Sequence, residues 1–225
     1  RDLVLLRASG FWQALRGVLR LQEGVSGMTT PIYVKSMFNA FQGTGHLTGT
    51  RQFFVRFAGC SVKCPIRKDC DEPLALTRRA SKETDAHHIV NEALKTVGPR
   101  GWLHITGGEP TDQSAGLQEL VMMARESGLY VHVQTSGVRR LPVQWDWVTV
   151  SPKVREPEQR FGQEMVVIDD GTVTRDWLDE LRSTTSFWCY YLCPLWGRDM
   201  KLTAELAWRA KWDLTCQMHK YGGLQ

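Results

Sequence analysis

Cys60, Cys64 and Cys70 stand on one short stretch, with gaps of three and five residues, just after the apolar run 53–57. Three thiolates on one flexible loop can each ligate an iron of a four-iron cluster, leaving the fourth iron open to a ligand that is not protein. They can also hold one zinc ion if a histidine or another group completes the set. The choice matters, because an open iron implies chemistry and a closed zinc site implies stabilisation. No histidine lies within the cysteine loop, and His87 and His88 fall on a helical stretch whose polar face they would decorate. A second constellation follows at Thr106-Gly107-Gly108-Glu109-Pro110.

Both must be positioned by something, and the chain has a repeating way of doing it. From Ile32 onward short apolar runs alternate with stretches of helical periodicity, the mark of parallel strands joined by crossover helices. Strands are expected at 53–57, 102–106, 130–134, 147–150, 164–168 and 188–192, and helices at 84–97, 114–126, 174–181 and 203–213. Gly98-Pro99 and Ser127-Gly128 stop two of the helices. About six such units are too few for an eightfold barrel. The expected fold is α/β, an open, partial parallel β/α barrel whose site lies at the carboxyl ends of the strands. Cys60, Gly107-Gly108-Glu109, Ser136 and Ser151-Pro152-Lys153 each come just after an expected strand, so four motifs converge on one rim.

The chain has 225 residues, 42% of them hydrophobic, enough for one large domain with a real core. Its net charge of +4 is mild, and its 28 basic residues are spread without a dense run. That suits a site for anionic ligands and not a nucleic-acid footprint. With no cleavable signal and no apolar run long enough for a bilayer, a cytoplasmic protein with no membrane association is expected. In a reducing compartment clustered cysteines are more often metal ligands or catalytic groups than bridges. Residues 1–27 carry Arg7, Arg16 and Arg20 among Leu, Phe and Trp and end just before Met28. They are expected to be a non-native or upstream extension, with an amphipathic targeting helix as the alternative, and the domain proper to span 28–225.

Six segments carry a resemblance: Phe41-Gln42-Gly43-Thr44-Gly45, Phe54 to Cys60, Thr106 to Pro110, Gln134-Thr135-Ser136-Gly137, Val150-Ser151-Pro152-Lys153 and Gln217 to Tyr221. The chain resembles the radical S-adenosylmethionine (SAM) superfamily and, within it, the 7-carboxy-7-deazaguanine synthase family. The glycine-glycine-glutamate motif is common in the superfamily; the serine-proline-lysine motif and the terminal histidine-lysine-tyrosine are far more diagnostic. The resemblance implies that Cys60, Cys64 and Cys70 hold a [4Fe-4S] cluster whose open iron is chelated by SAM. It places Gly107, Gly108 and Glu109 at the SAM amino group, and Ser136, Ser151, Pro152 and Lys153 along the nucleoside and carboxylate. It places Phe41, Gln42, Gly43, Arg56, Thr106, His219 and the terminal carboxylate of Gln225 around a 6-carboxy-tetrahydropterin. The implied protein is an oxygen-sensitive homodimer served by a flavodoxin-like electron donor. Taken singly, Arg56 reads as well as a surface ion-pair residue, Gln42 as a turn residue and Thr106 as a capping hydroxyl.

Several positions depart from the family pattern. The second cysteine gap is longer than the usual two residues, and Asp69 stands where an aromatic would pack on the adenine. Glu72 replaces a threonine that helps hold Mg2+; as a hard oxygen ligand it is carried as the Mg2+ ligand here. Thr44 replaces an acidic residue, and Cys193-Pro194 replaces Gln-Pro. Cys189, Cys193 and Cys216 are expected to be buried free thiols, and most of the tryptophans core, with Trp196 the one that could touch the cofactor. Two rival readings remain, a glycyl-radical activating enzyme and a zinc-stabilised binding module without catalysis.

Overall fold

Alternation of inward and outward side chains, strand after strand, builds one sheet. The structure is a computed structural model that describes residues 29–142 and 144–222. The segment 1–27 and Gln225 lie outside the described residues. Strands β1 (Ile32–Phe41) and β2 (Arg51–Phe57) form an antiparallel hairpin, and β3 (Lys82–Thr84) pairs with the far side of β1. The chain then winds through α1 (Ala86–Val97), β4 (Trp102–Gly107), α2 (Ser114–Glu126), β5 (Tyr130–Thr135), β6 (Trp147–Val150) and β7 (Phe161–Asp169). It finishes with α3 (Arg175–Thr184), β8 (Ser186–Pro194), α4 (Met200–Ala210), β9 (Asp213–Leu214) and the single turn α5 (Met218–Gly222). Among the described residues the order is β3-β1-β2-β4-β5-β6-β7-β8-β9, parallel from β2 onward and not closed. The open barrel expected from the sequence is present, widened by a hairpin and by short edge strands.

The helices cover its outer side. In α1, Ile89, Val90 and Ala93 are buried at helical spacing, the Asp85 side chain accepts from the His88 N–H at 2.8 Å, and Gly98 ends the helix with φ 71°. Leu117, Leu120 and Val121 of α2 are at most 1% exposed and join Val55, Ile105 and Val133 in the core. Each such side chain contributes about 1.5–3 kcal/mol of apolar burial. The helix expected at 203–213 instead begins at Met200 and stops at Ala210, because Lys211 takes a left-handed conformation, φ 58°.

On the inner side the same strands are polar. His104 stacks on His132 with ring centroids 3.9 Å apart and meets Phe54 at a tilt, 4.3 Å between centroids, all three on neighbouring strands. His132 meets Gln52 Oε1 at 3.1 Å and Thr149 Oγ1 at 2.7 Å, and Thr149 donates to Glu164 Oε1 at 2.5 Å. Glu164 also accepts from the His46 N–H at 2.7 Å. Gln52, His104, His132, Thr149 and Glu164 are all buried; all but His104, whose two ring nitrogens have no hydrogen-bond partner among the described residues, join in one polar chain that forms a floor under the rim.

The gap in the barrel is sealed by two segments far apart in sequence. The β1–β2 loop donates from Gly45 N–H to Thr215 Oγ1 at 2.9 Å and receives the Met218 N–H on Gly43 O at 2.9 Å. A Cβ on Gly43 would come within 2.0 Å of His219 Nδ1, so only glycine lets the tail lie against the loop there. No helix among the described residues is long and apolar enough to cross a membrane.

Candidate active site

At the carboxyl ends of β2, β4, β5, β6 and β7 lies a cavity of about 260 Å³. Cys60, Cys64 and Cys70 line it, as do Gly107, Gly108, Glu109, Ser136, Ser151 and Lys153. So do Phe41, Gln42, Gly43, Arg56, Thr106 and His219. Pro152 is buried beside the cavity without lining it, and Gln225 is outside the described residues.

The cysteine loop is rooted by backbone contacts to the glycine pair. Gly108 N–H donates to Phe57 O at 2.9 Å, Glu109 N–H to Gly59 O at 3.0 Å, and Gly59 N–H to Ala75 O at 2.8 Å. A Cβ on Gly107 would stand 2.3 Å from the Phe57 N and O, and one on Gly108 1.9 Å from Gly59 O. Both glycines are therefore required by the packing of strand end against loop, whatever they do for a ligand. Further out, Asp112 accepts from Ser61 N–H at 2.6 Å, from Ser61 Oγ at 2.7 Å and from Arg139 Nη1 at 2.5 Å. All three loop cysteines are free and half-buried, and burial pushes the Cys60 thiol up. Among the described residues no three His, Cys, Asp or Glu side chains gather closely enough for a single ion. Three free thiols lining one cavity are the donor set that a [4Fe-4S] cluster with one open iron takes.

Glu109 is 1% exposed and saturated. Its Oε1 accepts from Thr111 N–H at 3.1 Å, Thr111 Oγ1 at 2.8 Å and Thr135 Oγ1 at 2.7 Å; its Oε2 accepts from Ser136 N–H at 2.9 Å and Ser136 Oγ at 2.5 Å. A carboxylate has about four lone-pair sites, so this one is fully engaged in holding β4 to the end of β5. Thr135 lies within the Gln134-to-Gly137 motif and Thr111 just after Pro110, but sequence reasoning gave neither a role. Gln113 was missed too: it accepts from Tyr33 N–H at 2.8 Å and donates to Tyr33 O and Ala58 O, tying β1 to the root of the cysteine loop.

Lys153 donates to Ser151 O at 3.1 Å and Ser151 Oγ at 2.7 Å, and burial lowers its pKa against the pull of nearby thiols and carboxylates. Arg56 lies over the Phe38 ring, 4.5 Å to its centroid, and pairs with Glu72. Asp71 is held by Gln217 Nε2 at 2.5 Å and by Lys220, which links the cysteine loop to the tail. Asp71 and Glu72, the second of them the residue expected to hold Mg2+, thus both face cations. Asp69 lines the cavity. Cys193 is buried as expected, but Cys189 and Cys216 are only partly covered. Trp212 belongs to the core, whereas Trp208 is 87% exposed, and Trp196 packs on Tyr221 outside the cavity.

No protein-family model matches the chain. Curated proteins do. The 7-carboxy-7-deazaguanine synthase of a Synechocystis species is 31% identical over 210 residues, 89% of this chain and 98% of that protein. The one from Bacteroides thetaiotaomicron is 32% identical over 191 residues, 83% and 95% of the two chains. The crystal structure of QueE from Escherichia coli aligns with a TM-score of 0.66 at 22% identity, covering 84% of this chain and 95% of that one, a likeness of fold. With relatives this similar spanning nearly their full length, the chain belongs to the 7-carboxy-7-deazaguanine synthase family of radical SAM enzymes.

Proposed function

We propose that the chain converts 6-carboxy-5,6,7,8-tetrahydropterin to 7-carboxy-7-deazaguanine with loss of ammonia, a step in the biosynthesis of queuosine-type 7-deazapurines. The observation that carries this reading is that one cavity is lined both by the three loop cysteines and by the carboxylate-binding Arg56. A radical generator and an anchor for a small acid thus face each other.

When bound, a [4Fe-4S] cluster on Cys60, Cys64 and Cys70 with SAM supplies one-electron reduction and hydrogen-atom abstraction. The remaining work belongs to the chain's own side chains. Arg56, clamped over Phe38, offers a planar fork to the substrate carboxylate. Gln42 is held in place by its Nε2 donating to Thr44 O at 3.0 Å, which leaves the loop's backbone edge toward the pterin. Lys153, desolvated and anchored on Ser151, places a cation where the SAM carboxylate would lie. Glu109 fixes the Ser136 hydroxyl beside it. The seam of the β1–β2 loop with the tail excludes water from the side of the barrel, with His219 at its inner edge.

We also propose, from family membership, an oxygen-sensitive cytoplasmic homodimer reduced by a flavodoxin-like donor. The decisive test incubates anaerobically reconstituted protein with SAM, reductant, Mg2+ and the carboxy-tetrahydropterin. Formation of 7-carboxy-7-deazaguanine is expected; 5'-deoxyadenosine without any deazapurine would leave the superfamily standing and remove the substrate. Metal analysis should give about four irons with matching sulfide per chain, and one zinc would sink the reading.

A further inference from the structure

Three Arg and Lys side chains among the described residues line the cavity, and their partners differ in kind. Arg67 donates to the Val62 carbonyl at 3.3 Å, and Lys153 to Ser151. Arg56 is held by a carboxylate that also lines the cavity, that of Glu72, the two side chains being 25% and 24% exposed.

The two ends of this pair are not equally fixed. Arg56 sits in a strand paired on both sides, opposite Ser36 of β1 and Thr106 of β4, and its guanidinium rests on Phe38. Glu72 belongs to the loop after Cys70. It precedes the single turn Pro73–Leu76 and makes no side-chain cap to it. Its neighbour Asp71 is occupied by Gln217 and Lys220, so Glu72 is the carboxylate of this loop that reaches the anchor. A guanidinium fork in a partly dry cavity does not readily hold two full negative charges side by side. An arriving ligand carboxylate and the Glu72 carboxylate therefore compete for it.

We propose that Glu72 is a built-in competitor for Arg56, displaced by the carboxylate of the pterin ligand, and so determines how strongly carboxylated pterins are preferred. The proposal rests on the function given above. It explains why an acidic side chain lines a cavity that must accept an acid: the desolvated guanidinium is never left without an anion, because Glu72 returns as the product carboxylate leaves. It also gives Glu72 a role that needs no metal.

The test is a fluorescence titration of anaerobically reconstituted enzyme, without SAM or reductant and with a chelator, using 6-carboxypterin and, as the control lacking the acid, pterin. Glu72→Gln should bind 6-carboxypterin about tenfold tighter than the parent and pterin within about twofold of it. Glu72→Thr should do the same, which keeps the test alive if one variant loads its cluster poorly. Unchanged or weaker binding of 6-carboxypterin, or an equal gain for pterin, overturns the proposal. A repeat with Mg2+ in which Glu72→Gln weakens binding overturns it as well, by making Glu72 a metal ligand. If the parent binds neither compound yet cleaves SAM, the substrate assignment fails and the proposal with it. That result differs from a parent that binds both compounds with a preference the variants do not change.

Discussion

The floor and the rim of the barrel are built on the same strands, two or four residues apart, and they treat polar groups in opposite ways. On the floor, Gln52, His132, Thr149 and Glu164 close on one another. At the rim, Gln134 and Ser151 follow His132 and Thr149 by two residues, Arg56 follows Gln52 by four, and all three line the cavity with Thr106 of β4. The Glu109 carboxylate shows that the rim keeps closed groups too, but as braces for neighbours that face the cavity. Burial alone does not separate structure from function here. What separates most of the floor from the rim is that its hydrogen-bonding capacity is used up by the chain; His104, held by ring stacking with neither nitrogen bonded among the described residues, is the exception.

The comparison can be broken in three ways, the largest effect first. Cys70→Ala removes a half-buried rim thiol, so SAM cleavage should fall by at least about a thousandfold while the melting temperature of the cluster-free protein moves little. Retained 5'-deoxyadenosine formation would mean that the third cluster ligand is elsewhere. Thr149→Val should do the reverse. It strands His132 and Glu164 and should cost about 2–4 kcal/mol in urea unfolding, while the variant still folded cleaves SAM at a similar rate. A loss of turnover without a loss of stability would merge floor and rim.

The third test is one of pH, read as the difference one histidine makes. Burial lowers His132 to about 3, and burial followed by the neighbouring His132 lowers His104 well below 6.5. Both are neutral in the fold, while the unfolded chain takes up their protons near 6.5, so between these values the unfolded state binds more protons. Stability is full above about 6.5 and falls as the pH drops toward 3, by about 1.4 kcal/mol per pH unit for each histidine. Glu164, raised by burial, works in the opposite sense in its own range. Denaturation at pH 7 and pH 5 should show a decline in the parent and a shallower one in His132→Gln. A flat parent would place the floor in contact with water.

The rim was legible in the sequence because its chemistry recurs at the ends of apolar runs. Each of the six runs read as a strand is one, and the motifs after them meet at one cavity. The edges were not legible. β1 mixes Lys35, Ser36 and Asn39 into a strand that is mostly half-buried, so it has neither an apolar run nor a clean alternation. β3 and β9 have three and two residues, too few for any period to register. The floor was invisible for another reason: His104 and His132 lie within apolar strands, where nothing local distinguishes His132, a member of a hydrogen-bonded chain, from His104, which only stacks. Glu72 was read by its neighbours in the chain, and its partner Arg56 comes from a different strand.

The seam of the barrel has a consequence for the order in which the molecule is made. The bond from Gly45 N–H to Thr215 Oγ1 joins residues 170 positions apart, whereas the cysteine loop lies entirely within the first third of the chain. Contacts of such long sequence separation are the slowest to form, and this one needs residues made long after the cysteine loop. The cysteine loop can thus emerge and meet its iron donor while the side of the barrel still stands open, and the pocket closes afterwards.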